Sequence, residues 1–457
     1  MFANRINELK LLESLYREKK PKLVILYGKR RVGKTALLLE FAAKHKALYL
    51  VARQESVKDQ LRKISEETAT FFQDDVLKSN PFQNYDALFR YLQSKDSPVF
   101  FDEFPFLVES HPALPSILQE HWDHYFSKKT PFIVLCGSSI RMMESLLGYT
   151  SPLYGRRTEQ ILLEPLLFKD TRFFFPFLKP EQQVEAYAVL GGTPAYLLEF
   201  DLSKSLFINI QEKILQKNKF LYQDVMFVIQ QELNEPRTYY SLIKSIAKGN
   251  TKLGNIVNDT GLDKEKVTKY LSVLQQLQLI ERRIPITEKH PEKFRKGIYV
   301  LRDQYFKFWF RFIFENTQYI EQNKPDLLLT EKIIPELNQF IGQAYEEIAL
   351  QWVKQHLPFH HYLFGRWWDR TQEIDILGLD QKNARIIFGE VKWRSLSEKE
   401  ARQVLAELQQ KSESVVWEEK ASKTFMLIGK EIAGKVNLRK EGYEIFDLAD
   451  ICGLGIK

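Results

Sequence analysis

Residues 22 to 35 read KLVILYGKRRVGKT: a short apolar, β-branched run from Lys22 to Tyr27, a stop at Gly28, a glycine-bounded turn, and then a helix-forming stretch. Gly28, Gly33, Lys34 and Thr35 complete the pattern G-x4-G-K-[ST] in the strand, loop, helix context that gives it meaning. Glycines let the backbone curl until its N–H groups and the start of the helix face phosphate oxygens. Lys34 is placed to reach β and γ oxygens, and Thr35 to hold Mg2+. The expected ligands are therefore ATP and Mg2+, with Gly28, Arg31, Gly33, Lys34, Thr35 and Ala36 as the contacts.

Working outward, ALYLVA at 47–52, SPVFFDE at 97–103 and PFIVLCGSS at 131–139 are further apolar runs separated by helix-length polar stretches. That rhythm predicts an α/β layer with a mostly parallel sheet, preceded by an amphipathic helix in the first 20 residues. A phosphate cradle needs a second carboxylate to hold the metal through water. Asp102 ends an apolar strand and supplies it, and Glu103 follows as candidate general base for the attacking water. Ser138 and Ser139 end the next strand, where a hydroxyl either senses the γ-phosphate or caps a helix. Arg156, with Arg157, offers a guanidinium to the γ-phosphate, from the same chain or from a neighbour in an oligomer, or else forms a surface salt bridge.

Composition limits the alternatives. The 457 residues suit about three domains. The charge of +7 from 66 Lys+Arg and 59 Asp+Glu is too small for a tail-driven nucleic-acid binder, so any such contact must be local. Hydrophobic residues at 44% and aromatics at 13% mark an ordered globular chain. Two cysteines, Cys136 and Cys452, leave no disulfide framework or cysteine zinc site and fit a reducing cytoplasm. No run approaches the length and apolarity of a membrane span, and charges at Arg5, Glu8 and Lys10 argue against a signal peptide.

After the nucleotide-binding part (1–164), the pattern turns helical over 165–235, broken at Pro176, Pro180 and GGTP at 191–194. Residues 236–302 carry three short helical periods, the third running from Asp263 as cap to Arg283, with 284–301 available as a wing; this is winged helix-turn-helix grammar. The basic excess is concentrated here, at +4 over 236–280 and +5 over 281–311. Lys264, Lys266 and Lys269 begin the candidate recognition helix and mark a duplex DNA footprint if that helix is exposed. If it is not, the module is an internal joint or a protein-docking surface. An aromatic-rich helical connector (303–335) leads to a last α/β domain (336–457).

In that last domain Asp375, Glu390 and Lys392 form D-x14-E-x-K across two strands joined by a short turn, so that all three share one face. Carboxylates held this way bind a divalent ion that activates water, and a lysine orients the water or steadies a pentavalent phosphate. Glu347, or its neighbour Glu346, on the preceding helix would add the further metal ligand. Arg366 is read as a phosphate contact or a partner of Glu373, and Trp367 and Trp368 as core and rim packing. The bland reading is a hairpin with a cross-strand Lys-to-acid pair. The histidines, including His121, His124, His360 and His361, show no convincing zinc set.

Five motifs in order, GKRRVGKT, FFDEF, CGSS, SPLYGRR and GGTPAYL, resemble the archaeal-type P-loop ATPases of the STAND group within the broader AAA-related class. The resemblance continues through FGRWWDR into a C-terminal domain of unknown function that is similar to PD-(D/E)-x-K nucleases. It implies an ATP-driven switch, with a P-loop NTPase parallel sheet followed by a helical lid, a winged helix-turn-helix and a restriction-endonuclease-like α/β domain. Three functions follow: a Mg2+-dependent ATPase coupling nucleotide state to DNA binding, an ATP-gated metal-dependent DNA or RNA nuclease, or an ATP-switched scaffold for a protein partner.

Overall fold

The computed structural model describes residues 4–233, 235–359, 361–418 and 421–453. They divide into two compact units, Met1–Pro165 and Leu166–Lys457.

The first unit is a five-stranded sheet with every pairing parallel. Its strands are β1 (Lys22–Tyr27), β2 (Leu48–Val51), β3 (Val99–Asp102), β4 (Phe132–Gly137) and β5 (Glu159–Leu162), in the order β2-β3-β4-β1-β5. β1 and β4 are buried at every position, which is why they read as unbroken apolar runs instead of alternating ones. Leu26, Phe41, Phe100 and Val134 pack on one face, and Ile25, Phe89, Phe101 and Leu135 on the other. The short edge strand β5 carries one buried residue, Ile161.

The second unit begins with helices, among them Pro180–Leu190 and Phe220–Glu232. Leu166 donates to the Gly192 carbonyl at 2.8 Å, and a Cβ on Gly192 would lie 1.9 Å from the Leu166 carbonyl oxygen, so the second glycine of GGTP permits this approach. The aromatic connector is helical from Gln304 and is tied to those helices by its polar tips: Tyr305 donates to the Leu221 carbonyl at 2.7 Å and Trp309 to the Tyr222 carbonyl at 3.1 Å.

Between them lie three helices, Pro236–Ala247, Leu253–Thr260 and Lys264–Gln276, and an antiparallel pair, β6 (Ile280–Arg283) with β7 (Ile298–Leu301). The third helix stops seven residues before the expected Arg283, because Gln278 turns into the left-handed region at φ 57° and the chain continues as β6. Asp263 occupies the N-cap position but makes no side-chain cap bond.

The last part is a mixed sheet of β8 (Leu363–Trp368), β9 (Glu373–Asp380), β10 (Arg385–Leu396), β11 (Ser422–Ile432) and β12 (Glu444–Phe446), ordered β12-β11-β10-β9-β8. β8, β9 and β10 pair antiparallel, whereas β10, β11 and β12 pair parallel. The helix Glu398–Ser412 makes the crossover from β10 to β11 and starts with a reciprocal Ser397/Glu400 capping box. The long helix Ile334–Gln355 reaches the sheet through Tyr345, whose hydroxyl donates to the Gly429 carbonyl at 2.8 Å.

Candidate functional site

The C-terminal edge of the first sheet gathers the nucleotide-binding residues. Gly28 leaves β1 at φ 153°, where a Cβ would sit 2.3 Å from the Leu163 carbonyl oxygen, and Gly33 enters the helix Lys34–His45 at φ 99°. Arg31, between them, also has positive φ. The first ladder bond of that helix runs from Leu37 N–H to the Gly33 carbonyl at 3.0 Å, so the amides of Lys34, Thr35 and Ala36 precede the ladder and form its donor-rich end. Lys34 is buried; its Nζ donates to the carbonyls of Gly28 (2.9 Å) and Lys29 (3.0 Å), and burial pulls its amine below the ordinary lysine range.

Asp102, at the end of β3, accepts from Thr35 Oγ1 at 2.9 Å, from the Glu103 amide at 3.0 Å and from the Tyr49 hydroxyl. Burial and the Asp102 charge push the Tyr49 phenol far above its usual range, which keeps it a donor. Burial, with Asp102 adjacent, likewise keeps the Cys136 thiol protonated. Glu103 turns at φ 52°, and its carboxylate accepts from Ser138 Oγ at 2.9 and 3.1 Å. Ser138 is therefore joined to the candidate base, while Ser139 takes the N-cap position of Ile140–Leu147. Thr35 and Asp102, a hydroxyl and a carboxylate in contact, are the donor pair that suits Mg2+ beside a nucleotide.

Arg156 needs correction as a candidate for the same chain's γ-phosphate. It precedes β5, and Thr158 donates to the Leu23 carbonyl at 2.9 Å, which puts Arg156 at the N-terminal edge of the sheet. A six-residue strand of about 20 Å separates that edge from the phosphate loop. There Arg156 makes a bidentate pair with Asp123 at 3.0 and 2.9 Å. The histidines stay structural: buried His121 has its ring nitrogens 2.7 Å from Gln93 and 3.1 Å from Asp86, and His360 lies outside the described residues.

In the second unit, the register Gly389 opposite Ile376 sets Asp375 beside Glu390. Val391 N–H donates to Asp375 at 2.9 Å, Lys392 Nζ to Glu390 at 2.8 Å, and Lys411 Nζ to both Glu390 oxygens at 3.1 and 3.2 Å. Burial, then the charges of Glu346 and Glu390, push the Asp375 carboxyl up to about 7. Arg366 bridges Glu346 (2.7 Å) and Glu347 (3.2 Å), and Glu347 is also held by Arg283 of β6 at 2.5 Å.

Glu347 therefore is not the further ligand expected beside Asp375. Burial pushes its carboxyl up, but Arg283, Arg366 and Lys307 outweigh that and hold it well below the carboxylate range; the helix carboxylate that acts on Asp375 is Glu346. Arg366 serves as the partner of these two glutamates. Among the described residues no group of three or more His, Cys, Asp or Glu side chains is arranged to hold a metal ion, and the pair Asp375 and Glu390 stands without a third such side chain.

The family described as an ATPase domain predominantly from Archaea matches residues 2–200, which span the whole nucleotide site. An uncharacterized protein of Methanocaldococcus jannaschii is 34% identical over 460 residues, covering 98% of this chain and all of the relative. The chain belongs to this archaeal ATPase family. An uncharacterized ATP-binding protein of the same organism is 56% identical over 41 residues, 9% of this chain and 70% of that one. The Walker-type ATPase of Pyrococcus abyssi superposes with a TM-score of 0.52 at 19% identity, covering 68% of this chain and 96% of that structure, a likeness of fold. Residues 309–404 match archaeal and bacterial proteins of unknown function, a span that encloses Glu346, Asp375, Glu390 and Lys392.

This member of the ATPase family binds and hydrolyses ATP through a P-loop, and among its described residues no helix is long and apolar enough to cross a membrane. Two residues of its sites escape a reading of motifs. Tyr49 reaches Asp102 from the neighbouring strand β2, with only its half-buried place in an otherwise apolar run as a signal. Lys411 reaches Glu390 from the last turn of a helix 21 residues away, with no sequence signal.

Proposed function

We propose that this ATPase is a nucleotide-operated nucleic-acid-binding switch, with 236–302 acting as a winged helix-turn-helix and the C-terminal sheet as a PD-(D/E)-x-K-like domain. The observation that carries the reading is the third helix of the module: Lys264, Lys266 and Lys269 are all exposed, and none has an ion-pair partner among the described residues. Three unneutralised cations on the first turns of an exposed helix suit phosphate contacts along a groove.

On the nucleotide side, Thr35 and Asp102 would hold Mg2+, which would supply charge neutralisation for the phosphates. Lys34 exchanges the carbonyls of Gly28 and Lys29 for phosphate oxygens, and this exchange makes the loop responsive to its ligand. Glu103, oriented by Ser138, accepts the proton of the attacking water. With Arg156 at the far sheet edge, its guanidinium would meet a γ-phosphate only in a neighbouring copy of the chain.

Duplex DNA retardation with ATP, ADP or no nucleotide tests the reading. Lys264→Glu with Lys266→Glu is expected to weaken duplex binding at least about tenfold and to lower the salt slope by about 0.9 for each phosphate left without its lysine. Lys34→Ala abolishes nucleotide binding and any difference between the nucleotide conditions. Undiminished duplex affinity in the charge-reversed variant refutes the reading.

A second reading, a metal-dependent nuclease, is favoured by the shared face of Asp375, Glu390 and Lys392. It is tested by nucleotide release from duplex and single-stranded substrates with Mn2+ or Mg2+. Cleavage by the wild type that Asp375→Asn abolishes supports it, and absence of cleavage by the wild type removes it.

A further inference from the structure

The second unit contains a cavity of about 1040 Å³, to whose wall the FGRWWDR segment and the Glu346–Glu347 pair contribute only a part. Its walls come from the end of the helix Pro236–Ala247, the β6–β7 pair, the aromatic connector, one face of the helix Ile334–Gln355, and the β8–β9 turn. We propose that this cavity binds a short single-stranded segment of nucleic acid. The inference rests on the nucleic-acid reading above and names a second, different form of the ligand.

Charge is the first argument. Lys252, Lys307, Lys332 and Arg370 all line the cavity, and none has a carboxylate at ion-pair distance among the described residues. Lys307 is the most telling, because it projects from the connector into the floor, where burial holds its amine below the usual lysine range. The carboxylate that offsets it, Glu347, makes no ion pair with it and is bonded to Arg283 and Arg366, so that one anion serves three cations. Beside it the Nε of Arg366, also in the wall, is buried with no acceptor. A phosphate oxygen entering here would supply the missing counter-charge and the missing acceptor together.

Shape and surface chemistry select the kind of anion. A sphere of the whole cavity volume is about as wide as the major groove of B-DNA alone, about 12 Å, so a duplex cannot enter. The four cations come from three segments, Lys252 from the loop after the helix Pro236–Ala247, Lys307 and Lys332 from the connector and Arg370 from the β8–β9 turn, which suits successive phosphates of a strand better than one compact anion. Trp368, half-buried at the wall beside Arg370, offers a ring on which a base can stack, and its neighbour Trp367 is buried in the core. The lining holds eight Lys and Arg against six Asp and Glu, four of these carboxylates being ion-paired, and unpaired cations beside an accessible aromatic are the arrangement by which proteins follow single strands.

The test uses the full chain and fluorescence anisotropy with labelled eight-nucleotide single strands of DNA and RNA and, separately, a labelled duplex. Lys252→Glu with Lys332→Glu, both exposed and therefore tolerated by the fold, should weaken single-strand binding at least about tenfold and reduce its salt slope by about 1.4, at about 0.7 per phosphate neutralised. Duplex affinity should stay within about twofold. Lys307→Met and Trp368→Ala should each weaken the single strand by about tenfold, with unchanged duplex binding as the check that they fold.

Unchanged single-strand affinity in the double variant overturns the inference, as does a parallel loss for duplex, which would assign these cations to the duplex surface. If the wild type retards duplex and ignores single strands, this inference fails and the winged-helix reading stands. The reverse pattern refutes the winged-helix reading and supports the cavity. Displacement of the strand from Lys34→Ala protein by an equal concentration of AMP assigns the cavity to a free nucleotide, and tighter binding of a glutamate-rich peptide assigns it to an acidic protein; either overturns the strand.

Discussion

Asp102 receives hydrogens from three directions, and each donor has a different fate when nucleotide arrives. On the proposed reading the Thr35 hydroxyl would turn to Mg2+, while the Glu103 amide is fixed by the backbone and the Tyr49 hydroxyl keeps its bond. Tyr49→Phe removes only the last of these. It should cost the nucleotide-free protein about 2 kcal/mol, the worth of a hydrogen bond to a charged group. For a unit of this size that is a fall of roughly 4–8 °C in the melting temperature of the nucleotide-binding unit, read by calorimetry. Ser138 acts on turnover instead. Its hydroxyl orients Glu103, so Ser138→Ala should lower ATP turnover about tenfold, part of the roughly 10²–10⁴-fold that a positioned base contributes, with ATP affinity within about twofold. Loss of affinity in place of turnover would show that Ser138 serves binding and not the base.

At the scale of elements, the helix Ile334–Gln355 presents two adjacent glutamates to different neighbours, and the consequences separate. Glu347 balances Arg283, Arg366 and Lys307, so Glu347→Ala leaves buried cations without their anion and should cost about 3–5 kcal/mol of stability. Glu346→Ala should cost far less, since Arg366 keeps Glu347 and Asp375 loses a repelling charge. Denaturant titrations of the two variants decide it, and equal losses would contradict this division of labour.

Asp375 adds a pH signature from the same elements. Its carboxyl, near 4 when unfolded and pushed up to about 7 when folded, keeps in the native state a proton that the unfolded chain has released. The native state thus binds more protons between those values, and this site's contribution to stability falls as pH rises from 4 to 7. Asp375→Asn should remove that fall, and denaturation midpoints at pH 5 and pH 8 measure it. β1 and β4 were legible because they are buried at every position and bounded by Pro and Gly, and the D-x14-E-x-K spacing was legible because a hairpin register follows from it. β5 was not, since EQIL at a sheet edge buries one residue; nor was the end of the third helix, since LQLIERR keeps helical spacing until Gln278 turns the chain. The place of Arg156 was hidden for a different reason: a motif shows which residues are neighbours in sequence but not which sheet edge they occupy.

For the whole molecule, a switch has a thermodynamic consequence that needs no knowledge of how its two units are arranged. If ATP changes the affinity of the second unit for duplex DNA by some factor, then duplex DNA must change the affinity of the first unit for ATP by that same factor. Couplings of this kind typically amount to about 1–3 kcal/mol, so the factor should fall between about 5 and 150. The measurement is a titration with a fluorescent, slowly hydrolysed ATP analogue, with and without saturating duplex, set against duplex titrations with and without the analogue. Glu103→Gln, which leaves Lys34, Thr35 and Asp102 untouched, keeps ATP from being consumed during the titration. The two factors should agree, and Lys264→Glu with Lys266→Glu should bring the effect of duplex on ATP affinity to one, because a duplex that no longer binds cannot bias the nucleotide site. Factors of one in the unaltered protein would separate the two activities and leave an ATPase and a nucleic-acid-binding unit that share a chain without exchanging free energy.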